Sequence, residues 1–197
     1  MFAPEISREE LSALPLVRFE GNIHLIENDR QADAAIEYLK TCPELGFDTE
    51  TRPSFTKGKV NRVALLQLST ETDAYLFRLC KMPDFPKKLL SLLIEPGVLK
   101  IGVATQNDIN GLHRNTQVHP QGFVDLQSMV QKFNIKNIGL AKMAGIVLGV
   151  RISKSQQLSN WENDALTEAQ QRYAATDAWM CYKIYQKLKR PQENQTF

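Results

Sequence analysis

The sequence predicts an α/β fold with a mixed sheet, and the order of its apolar segments carries this prediction. Strand-like stretches come early, at 45–51, 63–69 and 74–77, and such a block of consecutive strands favours antiparallel neighbours. Strand-like and helical stretches then alternate, which is typical of parallel strands joined through helices. The chain closes with a helical region. We therefore expect a mixed, mainly five-stranded sheet flanked by helices.

The N-terminal region is a short lead-in to this pattern. Ser7 and Glu10 have the spacing of a capping box, which favours a short helix over 8–13. The apolar stretch 23–26 could form an edge strand. Residues 30–40 follow with apolar side chains at helical spacing, and we expect a helix there.

The middle and C-terminal segments are assigned from turn residues and apolar spacing. The segment VALLQLS at 63–69 is almost continuously apolar, as expected of a strand that is covered on both faces. Thr167 and Gln170 again have capping-box spacing. The predicted elements are a helix over 85–94, a strand over 98–103, a helix over 106–114, a strand over 122–125, a helix to 133, a helix over 140–148, a loop over 149–165, a helix from 167 to 188 and a frayed tail over 191–197.

Length and composition indicate one soluble globular domain over residues 1–197. A chain of 197 residues can bury a sizeable core, and its 43% hydrophobic and 23% charged residues are ordinary for that class. No apolar run approaches the roughly 20 residues that span a bilayer. The first ten residues are polar and acidic and do not resemble a signal peptide. We expect no membrane association.

Charge and cysteine content restrict the function only weakly. The net charge of +2 neither demands nor excludes a nucleic-acid partner, because dedicated nucleic-acid binders are usually more basic. The three cysteines, Cys42, Cys80 and Cys181, are far apart and form no C-x-x-C pattern. They indicate neither a disulfide framework nor a zinc site, and a reducing cytoplasm fits best.

Two carboxylates share one face of the strand predicted at 45–51. Asp48 and Glu50 are two residues apart, and alternate residues of a strand point to the same side. Paired acids in an apolar segment repel each other and resist desolvation, and a bound divalent cation would relieve both costs. The alternative is that both acids are solvated at the end of a strand, which is common for such a pair alone.

Further candidate residues follow in two helices. Asp108 lies in the first turns of a helix after a predicted parallel strand, where α/β proteins form ligand sites, although the helix dipole alone also favours an acid there. Tyr173 and Asp177 are one helical turn apart and share a face. Taken alone, this pair is better explained by an exposed acid beside a half-buried ring. The combination of the three segments is more informative than any one of them.

The three acidic segments together resemble the DEDDy class of 3′→5′ exonucleases. The first motif is GFDTET at 46–51, the second is G-V-x4-D-x3-L at 102–112, and the third is YAATDA at 173–178. Within this class the sequence is similar to ribonuclease D and to the exonuclease domain of the Werner syndrome helicase. The segments GKVNRVALLQL at 58–68 and SNW at 159–161 support the resemblance, which covers about residues 23–188.

The resemblance implies a ribonuclease-H-like fold and a catalytic site. Asp48, Glu50, Asp108 and Asp177 match the four metal-binding acids of the class, and Tyr173 matches its tyrosine. It also implies two ions per site, Mg²⁺ or Mn²⁺, which hydrolyse the last phosphodiester at the 3′ end of DNA or RNA and release a nucleoside 5′-monophosphate. The resemblance ends near residue 188, so we expect no additional helical nucleic-acid-binding domain.

Each residue of this set has an expected role. Asp48 would bridge the metal ions, Glu50 and Asp177 would complete one metal site, and Asp108 would hold the second ion directly or through water. Tyr173 is a poor general base because an ordinary phenol has a pKa of about 10. We expect it to hydrogen-bond and orient the attacking water.

Other residues are candidates for contact with the substrate. Thr49 could offer its backbone to the terminal 3′ hydroxyl, and Leu112 could wedge against the last base. Lys154 and Trp161 lie in the loop before the last helix, where Lys could meet a phosphate and Trp could stack on a base, although a core position suits Trp161 at least as well. Arg52 with Lys57 could form a lip that contacts the backbone of the strand, or a solvated loop. The three histidines lie outside the motifs and are expected to be structural.

Rival functions remain at this stage. The chain could be a proofreading subunit of a separate polymerase, a catalytically silent nucleic-acid-binding or scaffold module of the same fold, or a plain α/β domain with scattered acids. The complete set of acids with Tyr173 favours an enzyme. The modest net charge of the chain favours weak, distributive binding of nucleic acid or a partner protein that delivers the substrate.

Overall fold

A mixed sheet of six strands forms the centre of the computed structural model, which describes residues 2–54, 56, 58, 60–117 and 119–190. Within these residues the strands occur in the spatial order β1-β4-β3-β2-β5-β6. In chain order they are β1 Asn22–Ile26, β2 Glu44–Thr51, β3 Val63–Ser69, β4 Asp73–Phe77, β5 Leu99–Gly102 and β6 Phe123–Asp125.

Helices surround this sheet at the positions that the sequence pattern predicts. In chain order the described helices are α1 Arg8–Ala13, α2 Asp29–Leu39, α3 Lys87–Leu93, α4 Thr105–Leu112, α5 Leu126–Gln131, α6 Leu140–Leu148 and α7 Glu168–Lys189. Both predicted capping boxes are confirmed, at Ser7 with Glu10 and at Thr167 with Gln170. A 3₁₀ turn at Leu79–Lys81 was not predicted. The predicted tail at 191–197 lies outside the described residues.

The expected strand directions are confirmed, and the expected strand count is corrected from five to six. β3 pairs antiparallel with β2 and with β4, whereas β5 pairs parallel with β2 and β6 pairs parallel with β5. The sixth strand is β1, which pairs parallel with β4 over its whole length at the sheet edge. The sequence indicated β1 only weakly because a short edge strand depends on its neighbour for definition.

The two faces of the sheet are covered by different helices, and this explains the apolar run of β3. On one side, Leu66 and Leu68 pack in one cluster with residues of α2 and α3. On the other side, Leu65 packs in a cluster with Ala174 of α7. All seven residues of β3 are consequently buried. Of the helices in the described part of the chain, none combines the length and apolar composition needed to cross a bilayer.

Close packing of α7 on β2 sets the geometry of the functional region. A Cβ atom added at Gly46 would lie 1.9 Å from the carbonyl oxygen of Ala178. Only glycine therefore permits this approach between the helix and the strand. The small residues Ala174, Ala175 and Ala178 are fully buried on the same helix. This contact brings the acid of α7 over the acids of β2.

Candidate active site

Three of the predicted acids converge where α7 crosses β2. Asp48 and Glu50 share the face of β2 that α7 covers, and Asp177 belongs to the buried side of α7. Each of the three offers a carboxylate oxygen, and these oxygens lie within 4.8 Å of one another. Strand alternation places Asp48 and Glu50 on one face of β2. The close packing at Gly46 then brings Asp177 of α7 next to them.

Asp108 approaches the same region from α4 and is anchored to β2. The hydroxyl Oγ1 of Thr49 donates a hydrogen bond of 2.5 Å to Oδ1 of Asp108. The start of α4 is held by Asp125 at the end of β6, whose carboxylate accepts from the backbone N–H groups of Ala104 and Thr105, each at 3.2 Å. Ala104 has a left-handed backbone with φ 54°, which turns the chain from β5 into α4.

Burial and mutual repulsion dominate the electrostatics of this cluster. Burial, followed by the charges of Asp108, Glu50 and Asp177, raises the pKa of Asp48 well above its ordinary value. Burial, together with the charges of Asp177 and Asp108, raises the pKa of Glu50 to about 9. Negative charges gathered away from water favour the protonated form unless a cation neutralises them. The site is therefore built for a positive partner.

The two remaining acids are shifted less because each has a compensating neighbour. Burial raises the pKa of Asp177 to about 7, against hydrogen bonding from Tyr173 and the positive charge of Lys154, which lower it. Burial raises the pKa of Asp108 to about 6, and the Thr49 hydroxyl opposes this shift. Tyr173 and Lys154 thus favour the ionised form of Asp177, and Thr49 favours that of Asp108; the ionised carboxylates are the forms that would bind a metal.

Tyr173 stands one turn before Asp177 and is held as a neutral phenol. Burial raises the pKa of its hydroxyl, and the charges of Asp177 and Glu50 raise it further. The ring lies beside that of Trp161, with a centroid distance of 6.1 Å. The hydroxyl can donate a hydrogen bond but cannot readily give up its proton, which is the property expected of an orienting group rather than a base.

The donor set of this site fits a hard divalent cation. Carboxylate oxygens are the ligands that Mg²⁺ and Mn²⁺ prefer, and Asp48, Glu50 and Asp177 present three of them within reach of one ion. Asp108 adds a fourth acid through the electrostatic field it exerts on Asp48. The expected carboxylate cluster is present in the structure.

Comparison with known proteins identifies the family. A family of 3′-5′ exonucleases matches residues 23–192, which is most of the chain. The chain belongs to this 3′-5′ exonuclease family. It is 38% identical over 150 residues to the mouse (Mus musculus) bifunctional 3′-5′ exonuclease/ATP-dependent helicase WRN, and the match covers 73% of this chain and 11% of that protein. The resemblance inferred from the three motifs is confirmed.

Two further members of the exonuclease family extend this comparison. The chain is 40% identical over 157 residues to exonuclease 3′-5′ domain-containing protein 2 of Drosophila melanogaster, a match that covers 78% of this chain and 26% of that protein. Escherichia coli RNase D superposes with a TM-score of 0.75 at 27% identity, covering 85% of this chain and 44% of RNase D. The expected α/β fold with flanking helices is that of RNase D. The chain spans only a minor part of both sequence relatives.

Two residues that the resemblance suggested for base contacts lie in the core. Leu112 is 0% exposed and packs in the cluster that also holds Phe47 and Val63. Trp161 is 0% exposed and packs beneath Tyr173 with Leu166. Neither side chain reaches the surface, so the wedge and stacking roles are corrected to core positions. For Trp161 this is the alternative that the sequence left open.

The other candidate substrate residues remain accessible. Lys154 is exposed and close enough for its charge to act on Asp177. The side chain of Thr49 bonds Asp108, while its backbone lies opposite Leu66 in the sheet and makes a hydrogen bond to Asp48 that opposes the rise in the pKa of that carboxyl. Arg52 forms an ion pair of 3.3 Å with Glu162 across two loops. Lys57, the second residue of the predicted lip, lies outside the described residues.

Sequence reasoning missed three polar residues that lie around the candidate site and the loop before α7. Asp125 anchors the start of α4 through its carboxylate. Arg78 is a fully buried cation whose guanidinium donates to the backbone carbonyls of Asn163 and Asp164 in the loop before α7. Gln67 is a fully buried amide on β3. A polar residue within an otherwise apolar strand, as in VALLQLS, was the available signal for Gln67.

Proposed function

We propose that this chain is a metal-dependent 3′→5′ exonuclease that removes nucleoside 5′-monophosphates from the 3′ end of DNA or RNA. The observation that carries the proposal is the convergence of carboxylate oxygens from Asp48, Glu50 and Asp177 within 4.8 Å. Asp108 lies beside them and Tyr173 stands one turn from Asp177. Membership of the 3′-5′ exonuclease family supports the same assignment.

The acids would hold two Mg²⁺ or Mn²⁺ ions. Asp48, Glu50 and Asp177 would bind one ion, and Asp48 with Asp108 would hold the other. Bound there, the ions supply Lewis acidity for hydrolysis of a phosphodiester. The raised pKa values of Asp48 and Glu50 support this role, because a bound cation would neutralise the mutual repulsion that contributes to them.

The remaining residues of the site would position the reactants. The neutral Tyr173 hydroxyl would hydrogen-bond the attacking water and direct it toward phosphorus. The Thr49 backbone would receive the terminal 3′ hydroxyl. Exposed Lys154 would meet a phosphate of the substrate strand, since it is a cation beside the acids rather than one paired within the core.

A relative suggests candidate substrates, and the net charge of the chain suggests how tightly they would be bound. E. coli RNase D is described as an exoribonuclease involved in structured RNA processing, so RNA is one candidate substrate, and DNA is the other. The net charge of +2 supports weak, distributive binding, or delivery of the strand by a partner protein. Tight, salt-insensitive binding of nucleic acid by the isolated chain would contradict both weak binding and the need for a delivering partner.

A timed digestion of 5′-labelled single-stranded DNA and RNA of one sequence tests the proposal. The wild-type chain should produce a ladder that shortens from the 3′ end with Mg²⁺ or Mn²⁺ and not with chelator. Asp48→Ala should abolish the ladder. Asp33→Ala is a matched control, because Asp33 lies on α2 and its carboxylate contacts Lys88 at 3.6 Å instead of the acid cluster.

The outcomes separate an enzyme from a silent module. Metal-dependent release of mononucleotides by the wild type and by Asp33→Ala, but not by Asp48→Ala, would support the exonuclease, and the faster substrate would rank RNA against DNA. Binding of either strand without cleavage in either metal would instead favour a nucleic-acid-binding or scaffold module of the same fold.

A further inference from the structure

Gln67 is an unexplained polar residue in the interior of the sheet. Its side chain is 0% exposed on β3, between the apolar residues Leu66 and Leu68. Neither its Nε2 nor its Oε1 has a hydrogen-bond partner within the described part of the chain. A buried amide without partners lowers stability, so its presence at this position calls for a function.

The strand register places Gln67 beside the proposed metal site. In the antiparallel pairing of β2 with β3, Gln67 is the residue directly opposite Asp48. Directly opposed residues of an antiparallel pair point to the same face of the sheet, with Cβ atoms about 4.5–5.5 Å apart. The two-carbon arm of a glutamine carries its amide across that distance. Gln67 and Asp48 are therefore neighbours beneath α7.

Of the residues paired with Gln67 in the sheet, Asp48 is the polar one. On β4, the residue opposite Gln67 is Leu76. On β2, the diagonal positions are Gly46, which has no side chain, and Glu50. On β3 itself, the next residue on the same face is Ser69, whose hydroxyl donates to the carbonyl of Thr70.

We propose that Gln67 is a positioning residue for the metal centre: in the cation-bound site its amide would turn so that Nε2–H donates to the carboxylate of Asp48 and holds that carboxylate in its metal-binding orientation. The inference rests on the proposed function, because it assigns Gln67 a role only in a chain that binds divalent cations. In the proposed function Asp48 would take part in holding both ions, so its orientation would affect both sites. Groups that hydrogen-bond a metal ligand commonly contribute about 10- to 100-fold to metal affinity or activity.

The test is Mn²⁺ binding to the full chain, measured by titration calorimetry for the wild type and for Gln67→Met. Methionine has a similar length and no amide. We expect Gln67→Met to bind Mn²⁺ about 10- to 100-fold more weakly. Its melting temperature without metal should be unchanged or higher, because a buried unpaired amide has been replaced by an apolar group. Exonuclease activity should recover at higher Mn²⁺ concentration.

Leu68→Met is the matched control. Leu68 is the next residue on β3, is equally buried and belongs to the cluster on the opposite face. The Leu68→Met chain should bind Mn²⁺ with wild-type affinity. If Gln67→Met folds poorly, Gln67→Leu replaces it, since β3 already carries leucine at three positions, Leu65, Leu66 and Leu68.

The outcomes distinguish the two proposals. Failure of the wild type itself to bind Mn²⁺ would overturn the proposed function. Binding of Mn²⁺ by the wild type and equally by Gln67→Met would overturn the role of Gln67 alone. A loss of affinity shared with Leu68→Met, or accompanied by an equal loss of thermal stability, would show that Gln67 acts only through packing and would also overturn the inference.

Discussion

The hydroxyl of Thr49 donates a 2.5 Å hydrogen bond to the carboxylate of Asp108. This bond joins the strand that carries Asp48 and Glu50 to the helix that carries Asp108. Thr49 lies between the two strand acids, so its side chain leaves the opposite face of β2 from theirs. Its hydroxyl stabilises the ionised form of Asp108 and lowers the pKa of that carboxyl against the effect of burial.

Thr49→Val tests this link between β2 and α4. Valine keeps the shape of threonine and removes the donor, so Asp108 should lose its orientation and its pKa should rise above about 6. We expect exonuclease activity at neutral pH to fall about 10- to 100-fold, as for other groups that orient a metal ligand. The rate at several Mg²⁺ concentrations measures this. Thr51→Val, two residues along the same strand, is the control, and an equal loss there would contradict a specific role for Thr49.

Tyr173→Phe separates water orientation from metal binding. The phenol is neutral and removing its hydroxyl deletes one hydrogen bond without adding charge. We expect turnover to fall about 10-fold or more, as for the loss of one hydrogen bond, while Mn²⁺ affinity falls much less, because Lys154 still favours the ionised form of Asp177. Measured kcat and Mn²⁺ titration together test this. Tyr185→Phe on the same helix should leave both quantities unchanged, and a Tyr173→Phe protein with wild-type turnover would remove Tyr173 from the mechanism.

The metal-free protein should lose stability as pH rises. Glu50, Asp177 and Asp108 have pKa values of about 9, 7 and 6 in the folded chain, above their ordinary values of 4.5, 3.8 and 3.8. At a pH between its ordinary pKa and its pKa in the folded chain, each of these carboxyls holds a proton in the folded state and releases it in the unfolded chain. The free energy of unfolding is therefore highest at low pH with respect to these groups, and it falls as pH rises toward 9.

Urea unfolding with chelator at pH 5 and pH 8 measures this slope. A divalent cation should abolish this dependence of stability on pH, because the cation binds the ionised acids. Mg²⁺ at about 100 times its Kd should also raise the free energy of unfolding by about 2.7 kcal/mol. Asp48→Asn should reduce the slope by removing one repelling charge. Equal stability at both pH values in chelator would show that the acids are not held as the structure indicates.

Replacing Arg78 should loosen the loop before α7. Its buried guanidinium donates to the carbonyls of Asn163 and Asp164 and to Glu27 at 2.9 Å, and so holds the loop that contains Trp161. Arg78→Met leaves these carbonyls unpaired, and we expect a loss of about 1–3 kcal/mol in the free energy of unfolding. Exonuclease activity should fall as well, since Trp161 packs against Tyr173.

Lys81→Met is the control for Arg78. Lys81 forms an ion pair of 2.8 Å with Asp164 in the same loop, but the Asp164 side chain is fully solvated. Removing a surface pair of this kind should change stability by less than about 1 kcal/mol. Denaturant unfolding of both variants decides the matter, and equal small losses would mean that Arg78 does not hold the loop.

Gly46→Ala should separate α7 from β2. The new Cβ would lie 1.9 Å from the carbonyl oxygen of Ala178, so the helix must move and carry Asp177 away from Asp48 and Glu50. We expect a loss of about 1–3 kcal/mol in stability and a larger proportional loss of Mn²⁺ affinity. Gly139→Ala, where nothing lies within 4 Å of the added Cβ, should have little effect on either.

Local sequence pattern was sufficient for most of the fold, whereas the acid cluster was inferred from the resemblance of three segments together to one class of exonucleases. The apolar run of β3, the alternation of Asp48 and Glu50 on β2, and the turn between Tyr173 and Asp177 are properties of short segments. Their periods determine which side chains share a face, whatever the rest of the chain does. The strand count was less predictable, because β1 is short and is defined by its pairing with β4.

The tertiary structure alone decided which side chains are accessible and which contact each other. Leu112 is the last residue of the second motif and Trp161 lies in the loop before the third, but both are buried because segments distant in the chain cover them. The bond from Thr49 to Asp108 and the register that sets Gln67 opposite Asp48 depend on packing between separate elements. The sequence determined the acids and the faces on which they lie. Their distances, burial and partners were decided by tertiary packing, since these quantities depend on contacts that no single segment contains.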